Sequence, residues 1–392
     1  MKSYKKELSI LGSTGSIGRN ALSIPSICDD LSIHALIAGE NINLLTEQSL
    51  SFRPKYVVIS NKEKYTELKS NLFGTGVKVK SGHEDIIDVI SKTTDIVLSA
   101  ISGSAGIEPT FTALNNSEKL AIANKESIVT CGHLLFNKNI NTKTEIIPVD
   151  SEHNAIFNLL KKTEQNNLKK IILTASGGPF LNTAPEQLKH VTVEDALKHP
   201  TWNMGKKITI DSATMINKGL EVIEASYLFG IDHSKISVIV HPESIIHGMV
   251  SLNDGTTNAL LAIPDMRIPI ANALFGADEN AREFINIDLS EIGRLTFSKP
   301  DNTRFPALEM ARDALNIGTQ ALIAYNAVSE VAVQNFILKK ISFSDINNII
   351  KKSLLYAKTL KNMDVSNLYN ILSLDEHIRC YASDIIKEIM VA

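Results

Sequence analysis

The glycine-rich turn that closes the first strand constrains this chain more than any other feature. An apolar run over residues 7–12, ELSILG, leads straight into GSTGSIG, with Gly12, Gly15 and Gly18, and then into a helix-like RNALSIPSI. Glycines at the end of a strand allow a tight strand-to-helix turn and a close backbone approach to a pyrophosphate. The spacing is GxxGxxG rather than the commoner GxGxxG, so the position of the turn carries more weight than its glycines. The same alternation continues to about residue 149, with SIHALIAG, KYVVIS, DIVLSA, KLAIA and TEIIPV as short apolar runs between helix-like stretches. It predicts an α/β fold, a doubly wound parallel sheet wrapped by helices, with dinucleotide phosphates lined by Thr14, Gly15, Ser16 and Ile17. The second strand ends at Gly39-Glu40-Asn41, where the adenosine ribose is usually met, and an acid there on its own argues for NAD.

A chain of 392 residues exceeds one core, so two or three domains are expected. From about 150 to 275, strand candidates KKIILTA, ISVIVH and NALLAI mix with helices and with a polar stretch from Ser176 to Lys207. Residues 276–302 read as a connecting arm, and 303–392 as a compact helical domain with 3.6-residue periodicity and few breakers. The net charge is −3 with basic residues dispersed, which excludes the concentrated positive surface that nucleic acid or an anionic membrane requires and leaves a small-molecule ligand. No apolar run is long enough to span a bilayer, and MKSYKKELSILG leaves no room for a secretory signal. Cys28, Cys131 and Cys380, odd in number and far apart, read as ordinary buried thiols, consistent with a reducing cytoplasm.

The chemistry-bearing residues sit where strands and helices meet. Asp150 and Glu152, in IPVDSEHNAIF, follow a strand and with Glu221 make three carboxylates that suit one hard divalent cation, although Asp150 or Ser151 also reads as a plain helix cap. In DSATMINKGLE, residues 211–221, a helix carried back from GLEVIEASYLFG places Asn217, Lys218 and Glu221 on one surface. Ser212 and the first-turn N–H groups then offer a phosphate site, against the plainer reading of a Ser-capped helix with a surface ion pair. Lys125, in LAIANKESIVT, is a helix-start lysine able to meet a substrate oxygen or the nicotinamide site. TASGGPF, with Ser176, Gly177, Gly178 and Pro179, is a flexible polar turn fit for phosphate or for a hinge. HPTWNMG, with His199, Trp202, Met204 and Gly205, reads as a closing lid if its Trp and Met are exposed, or as a small satellite core. His153, His241 and His247 read as packed or supporting groups.

Taken together, GSTGSIG, ANKESIVTCG, PVDSEHNAIF, LTASGGPF, HPTWNMGKKITIDSATMINKGLEVIEA, HPESIIHGMV and PDMRIPIANAL resemble the 1-deoxy-D-xylulose 5-phosphate reductoisomerase family, over most of the chain to about residue 275. The resemblance implies a Rossmann-like NADPH-binding domain (1–149), an α+β catalytic, metal-binding and dimerisation domain (150–275), a linker (276–302) and a small C-terminal helical domain (303–392). It implies a homodimer acting on a small sugar phosphate. It assigns Mg2+, Mn2+ or Co2+ to Asp150, Glu152 and Glu221. Substrate contacts fall to Lys125, Ser151, Glu152, Ser176, His199, Ser212, Asn217, Lys218 and Glu221, with the phosphate held mainly by Ser176, Ser212, Asn217 and Lys218. Cofactor contacts fall to Thr14, Gly15, Ser16, Ile17, Gly39, Asn41, Asn124, Glu126 and Gly205. The stretch around His199, Trp202 and Met204 matches a mobile flap. Glu40 departs from the basic residue common in the family, and the broad match still favours NADPH, with Asn41 or Arg19 taking over the contact.

The chemistry implied is a metal-assisted rearrangement of the ketose phosphate followed by reduction of a transient branched aldehyde by NADPH. Lys125, Asp150, Glu152, Glu221 and His199 are its catalytic residues. Two competing readings stand beside it. A metal-dependent NAD(P) dehydrogenase of another phosphorylated hydroxy compound would give an unbranched product, and a nucleotide-sensing protein would bind without turnover.

Overall fold

The structure, a computed structural model, describes residues 5–92, 95–137, 143–276, 284 and 286–391. Two compact units divide the chain: Met1–Ser127 with Lys138–Asn154 and Asp265–Phe284, and Ile128–Asn137 with Ala155–Pro264 and Ile285–Ala392.

In the first unit, strands β1 (Lys6–Leu11), β2 (Leu31–Ala38), β3 (Tyr56–Ile59), β4 (Lys78–Ser81), β5 (Ile96–Ser99), β6 (Lys119–Ile122) and β7 (Glu145–Pro148) form one sheet in the order β4-β3-β2-β1-β5-β6-β7. Every pairing is parallel. Leu8, Ile10 and Leu11 of β1 and Val57, Val58 and Ile59 of β3 expose nothing, as strands covered on both faces must. The order of strands reverses beside β1, and ligands of open α/β sheets bind in the crevice above the carboxyl ends at such a switch point. The six expected strands are all present. The seventh, β4, is not among the apolar runs: KVKS is a short, partly exposed edge whose lysines blunt it against further pairing and hide it from a search for apolar runs. The helix Arg267–Phe275, late in sequence, returns to pack on the helix Ser16–Leu22, and Lys119 Nζ donates to the carbonyl of Leu274 at 3.1 Å.

In the second unit, β8 (Leu168–Ala175), β9 (Ile236–Val240), β10 (Ile246–Leu252) and β11 (Thr257–Leu261) form a mixed sheet in the order β11-β10-β8-β9. β8 and β9 run parallel, and β10 runs antiparallel to both its neighbours. Strand β10, IHGMVSL, is likewise absent from the sequence expectations, because His247, Gly248 and Ser251 interrupt its apolar pattern although all three are buried. The helices Lys206–Ala213 and Ile216–Phe229 come after the polar stretch. The expected helical run near the C-terminus divides at Gly318 (φ 124°) into Ala307–Ile317 and Thr319–Ile337, joined by Phe343–Ala357 and Leu368–Val391. Phe343 anchors this group, packing edge to face on Phe180 and Phe336.

The chain is thus α/β with a Rossmann-like doubly wound sheet, a second mixed sheet and a helical C-terminal part. Cys131 is buried, and burial pushes its thiol up to about 12. Cys380 is exposed on the last helix, not buried as expected, and the side chain of Cys28 lies outside the described residues. Part of the expected connecting arm, 277–283 and 285, likewise lies outside them. No described helix is long and apolar enough to cross a membrane.

Candidate active site

The glycine turn above β1 is held by the backbone. Gly12 N and Ser13 N both donate to the carbonyl of Ile37 at 2.9 and 2.8 Å, tying the turn to the end of β2. Gly12 has φ 87°, and a Cβ there would meet the carbonyl oxygen of Ala100 at 2.5 Å. A Cβ on Gly18 would meet Gly12 O and Ser13 Cα, both at 2.5 Å, so the helix Ser16–Leu22 approaches the strand closely only because residue 18 is glycine. Gly15 is the extended residue before that helix, whose first turn has N–H groups without intrahelical acceptors, and Thr14, Ser16 and Ile17 around it are half-buried. Gly39, Glu40 and Asn41 are exposed at the end of β2, and Asn41 Oδ1 accepts from Leu44 N at 3.1 Å as a helix cap. Lys64, which sequence alone did not single out, donates from Nζ to the Glu40 carbonyl at 3.1 Å and brings an ammonium to this turn from the end of β3.

The ends of β6 and β7 lie side by side, and each delivers one partner of a part-buried ion pair. Lys125, at the start of the helix Lys125–Leu135, binds Asp150 Oδ2. Asp150 Oδ1 faces Glu152 N at 3.2 Å and His153 N at 3.4 Å, so the carboxylate caps the helix Ser151–Leu160 with one oxygen and binds the lysine with the other. The capping role and the charge role foreseen as alternatives coexist in one side chain. Ser151 Oγ donates to Glu152 Oε2. His153 is fully buried. Asn124 is saturated: its Nδ2 reaches Ile101 O, Gly103 O and Glu126 Oε2 at 2.7, 3.1 and 2.9 Å, and its Oδ1 accepts from Ser127 N at 2.8 Å. It knits the loop after β5 to the end of β6.

In the second unit, β8 delivers Ser176 to a turn made by Gly177 (φ 82°) and Gly178 (φ 68°). His199 Nε2 lies 3.0 Å from Ser176 Oγ and 3.2 Å from Ser212 Oγ. His199 Nδ1 accepts from the N–H groups of Thr201 and Trp202 at 3.2 and 2.9 Å, so the ring proton sits on Nε2 and points at the two hydroxyls. Burial holds the imidazole below its ordinary 6.5, in the neutral form this arrangement needs. The position expected for Ser212 is corrected: it lies in the last turn of the helix Lys206–Ala213, not at the start of the next helix. That next helix begins after Met215, which adopts left-handed φ 63° to turn the chain. Gly205 is the exposed extended residue before the helix Lys206–Ala213. Trp202 and Met204 are half-buried, with Trp202 edge-on to His247 at 6.1 Å, rather than exposed.

The helix Ile216–Phe229 carries the remaining group. Asn217 Nδ2 donates to Glu221 Oε1 at 2.6 Å and Lys218 Nζ binds Glu221 Oε2, the i, i+4 and i, i+3 relations expected from sequence. Glu221 is fully buried and Lys218 nearly so, so these are not a surface pair. The supporting histidines behave as expected. His241 Nε2 accepts from Ile245 N and Ile246 N at 3.1 Å each, and His247 Nε2 donates to the Ala262 carbonyl at 3.1 Å.

A parallel sheet with a glycine turn at its switch point, and a lysine–carboxylate pair at the ends of its last strands, define a nucleotide-dependent enzyme of the α/β class. Residues 8–132 match the profile of 1-deoxy-D-xylulose 5-phosphate reductoisomerase, and residues 146–229 and 261–381 match profiles of its C-terminal domains. The chain belongs to the 1-deoxy-D-xylulose 5-phosphate reductoisomerase family. The protein of that name from Wolbachia sp. subsp. Brugia malayi (strain TRS) is 44% identical over 395 residues, 99% of each chain. That from Anaplasma phagocytophilum (strain HZ) is 42% identical over 390 residues, 98% of this chain and 99% of its own. A crystal structure of DOX-P reductoisomerase in complex with NADPH, fosmidomycin and magnesium superposes with a TM-score of 0.93 at 36% identity, covering 98% of this chain and 99% of that one. The Zymomonas mobilis enzyme in complex with NADPH gives 0.88 at 35% identity, with the same coverage.

Proposed function

We propose that this chain converts 1-deoxy-D-xylulose 5-phosphate to 2-C-methyl-D-erythritol 4-phosphate, with NADPH as reductant and a divalent cation bound, in non-mevalonate isoprenoid biosynthesis. The likeness to relatives of that name over 99% of the chain carries this reading. Residues 1–149 bind NADPH, 150–275 carry catalysis and dimerisation, 276–302 link, and 303–392 form a helical domain. The enzyme works as a homodimer in the cytoplasm.

The donor chemistry fits the cation. Asp150, Glu152 and Glu221 are the acids to which the resemblance assigns it. Three carboxylates, oxygen donors only, suit a hard ion such as Mg2+ or Mn2+. When bound, the cation supplies Lewis-acid polarisation of the substrate's carbonyl and neighbouring hydroxyl oxygens. NADPH fits the glycine turn, where Thr14, Gly15, Ser16 and Ile17 take its phosphates; Gly39 and Asn41 meet its ribose, and Asn124, Glu126 and Gly205 complete its contacts.

The chain's own side chains hold the rest of the substrate. Ser176, Ser212, Asn217 and Lys218 grip the phosphate. Because His199 donates from Nε2 to the serine oxygens, the serine protons are left to point at the anion. Ser151 and Lys125 attend the reacting end, where the lysine ammonium adds positive potential to the oxygens that gain charge as one carbon–carbon bond breaks and another forms. Binding energy from the remote phosphate closes the segment around His199, Trp202 and Met204 and orients the reacting carbons. Closure keeps water from the aldehyde until it is reduced.

The test is direct. Purified protein incubated with the ketose phosphate, NADPH and Mn2+ should consume NADPH and yield the branched polyol phosphate. An unbranched product, or no consumption with cofactor bound, overturns the proposal.

A further inference from the structure

Glycine is disfavoured inside helices, yet Gly219 sits in the first turns of the helix Ile216–Phe229, between Lys218 and Glu221. A packing reason is required, and one is visible. A Cβ at 219 would meet Tyr325 Oη at 2.3 Å, Ala311 Cβ at 3.0 Å and Tyr325 Cζ at 3.1 Å. Tyr325 has no exposed surface and stands in the helix Thr319–Ile337. Its hydroxyl donates to the Ala307 carbonyl at 3.0 Å and lies 3.5 Å from the Ile216 carbonyl. One phenol therefore bridges three helices, and its oxygen fills the notch that the missing side chain leaves. Burial, with the nearby Asp211 carboxylate, holds the phenol well above its ordinary range, so it remains a neutral donor.

At 3.6 residues per turn, residue 219 faces roughly 150° away from the mean direction of Asn217, Lys218 and Glu221. The phenol presses on the back of the helix whose front carries those three groups. We infer that Tyr325 is a positioning residue for the reaction, setting the depth and rotation of the helix Ile216–Phe229 through the side-chain-free notch at Gly219. The inference rests on the proposed roles of Asn217, Lys218 and Glu221. It adds a residue from the helical C-terminal part, where the sequence offered no candidate for the chemistry.

The contact distances give the test a rescue arm. G219A forces its methyl against the phenol oxygen. Y325F removes that oxygen, and the next nearest contacts, at 3.0 and 3.1 Å, are ones that neighbours can absorb. In the full chain, G219A should lower kcat/KM at least tenfold and weaken Mn2+ binding measured by calorimetry, with NADPH affinity unchanged. Y325F alone should lower kcat/KM several-fold, yet added to G219A it should restore kcat/KM and Mn2+ affinity at least fivefold. G219A with wild-type kcat/KM, or a double variant no better than G219A, overturns the inference. If G219A is insoluble, recovery of folded protein and Mn2+ affinity in the double variant supports the inference, and failure to recover overturns it. Mn2+ affinity reads the helix front even if the ketose phosphate is not the substrate, so failure of the functional reading is distinguishable from failure of this one.

Discussion

The backbone decides which nitrogen of His199 carries the proton. Two N–H groups, from Thr201 and Trp202, point at Nδ1, which leaves Nε2–H for Ser176 and Ser212. Asparagine can put its amide oxygen where Nδ1 accepts but is too short to place a donor where Nε2–H stands, so His199→Asn should keep the local chain path while raising KM for the sugar phosphate about tenfold, the loss of roughly one good hydrogen bond. Burial lowers the imidazole below 6.5, so as pH falls the unfolded or opened segment takes up a proton before the closed one does. The contribution of this contact is full above 6.5 and is lost as pH drops through the depressed folded value. Steady-state KM against pH should therefore rise at acid pH in the wild type relative to H199N; superimposable profiles would remove His199 from the phosphate site. The resemblance already gave Ser176, His199 and Ser212 to one substrate, but spacing alone did not bring them together, and the backbone N–H groups that set the His199 tautomer leave no mark in sequence. At the second-strand turn the hidden residue is Lys64. If its ammonium answers the missing basic side chain at Glu40, Lys64→Ala should weaken NADPH about fivefold, the scale of an exposed charge contact, and leave NADH unchanged. Fluorescence titration with both cofactors decides it, and equal weakening of the two would place Lys64 elsewhere.

Strands announce themselves when their burial is apolar. Runs such as ELSILG and KYVVIS were legible because a parallel strand covered on both faces has no polar face to show. Strand β4 was silent because an edge gains from lysines, and β10 because its buried His247, Gly248 and Ser251 are satisfied by packing and by partners such as Ala262 O and Thr257 Oγ1. The helix boundary at Met215 was equally silent: nothing in TMIN marks a left-handed methionine, so sequence alone puts Ser212 on the wrong helix. The glycine turn was legible as a tight strand-to-helix turn, and its atomic contacts come from the structure. Gly18→Ala would place a methyl within 2.5 Å of Gly12 O and Ser13 Cα, backbone atoms that cannot rotate away. That variant should lose about 1 to 3 kcal/mol of stability in denaturant titration and bind NADPH at least tenfold more weakly. Wild-type cofactor affinity in G18A would mean that the close approach of strand and helix is not what forms the cradle.

Across the whole chain, the assignment of cofactor to one segment and cation to residues shared along the polymer makes a separable demand. NADPH should depend on the parallel sheet and its turns, while metal-dependent turnover should depend on a helix that begins at residue 216, far along the chain from the glycine turn. Residue chemistry offered Glu221 as the third carboxylate beside a plainer helix-cap reading and the resemblance assigned it, whereas composition and periodicity identify a nucleotide domain but cannot say which distant carboxylate serves it. Glu221 tests the division most cleanly. Its carboxylate is fully buried and held by Asn217 Nδ2 at 2.6 Å and by Lys218, so glutamine preserves volume and one acceptor while removing the charge. Removing one charge of a buried pair is costly, up to about 3 to 5 kcal/mol, so E221Q should melt earlier yet stay folded by circular dichroism. Under those conditions Mn2+-dependent turnover should fall at least a hundredfold while the NADPH dissociation constant stays within twofold of wild type. Parallel loss of both in folded protein would make Glu221 a structural residue, and retained turnover would take it out of the metal set.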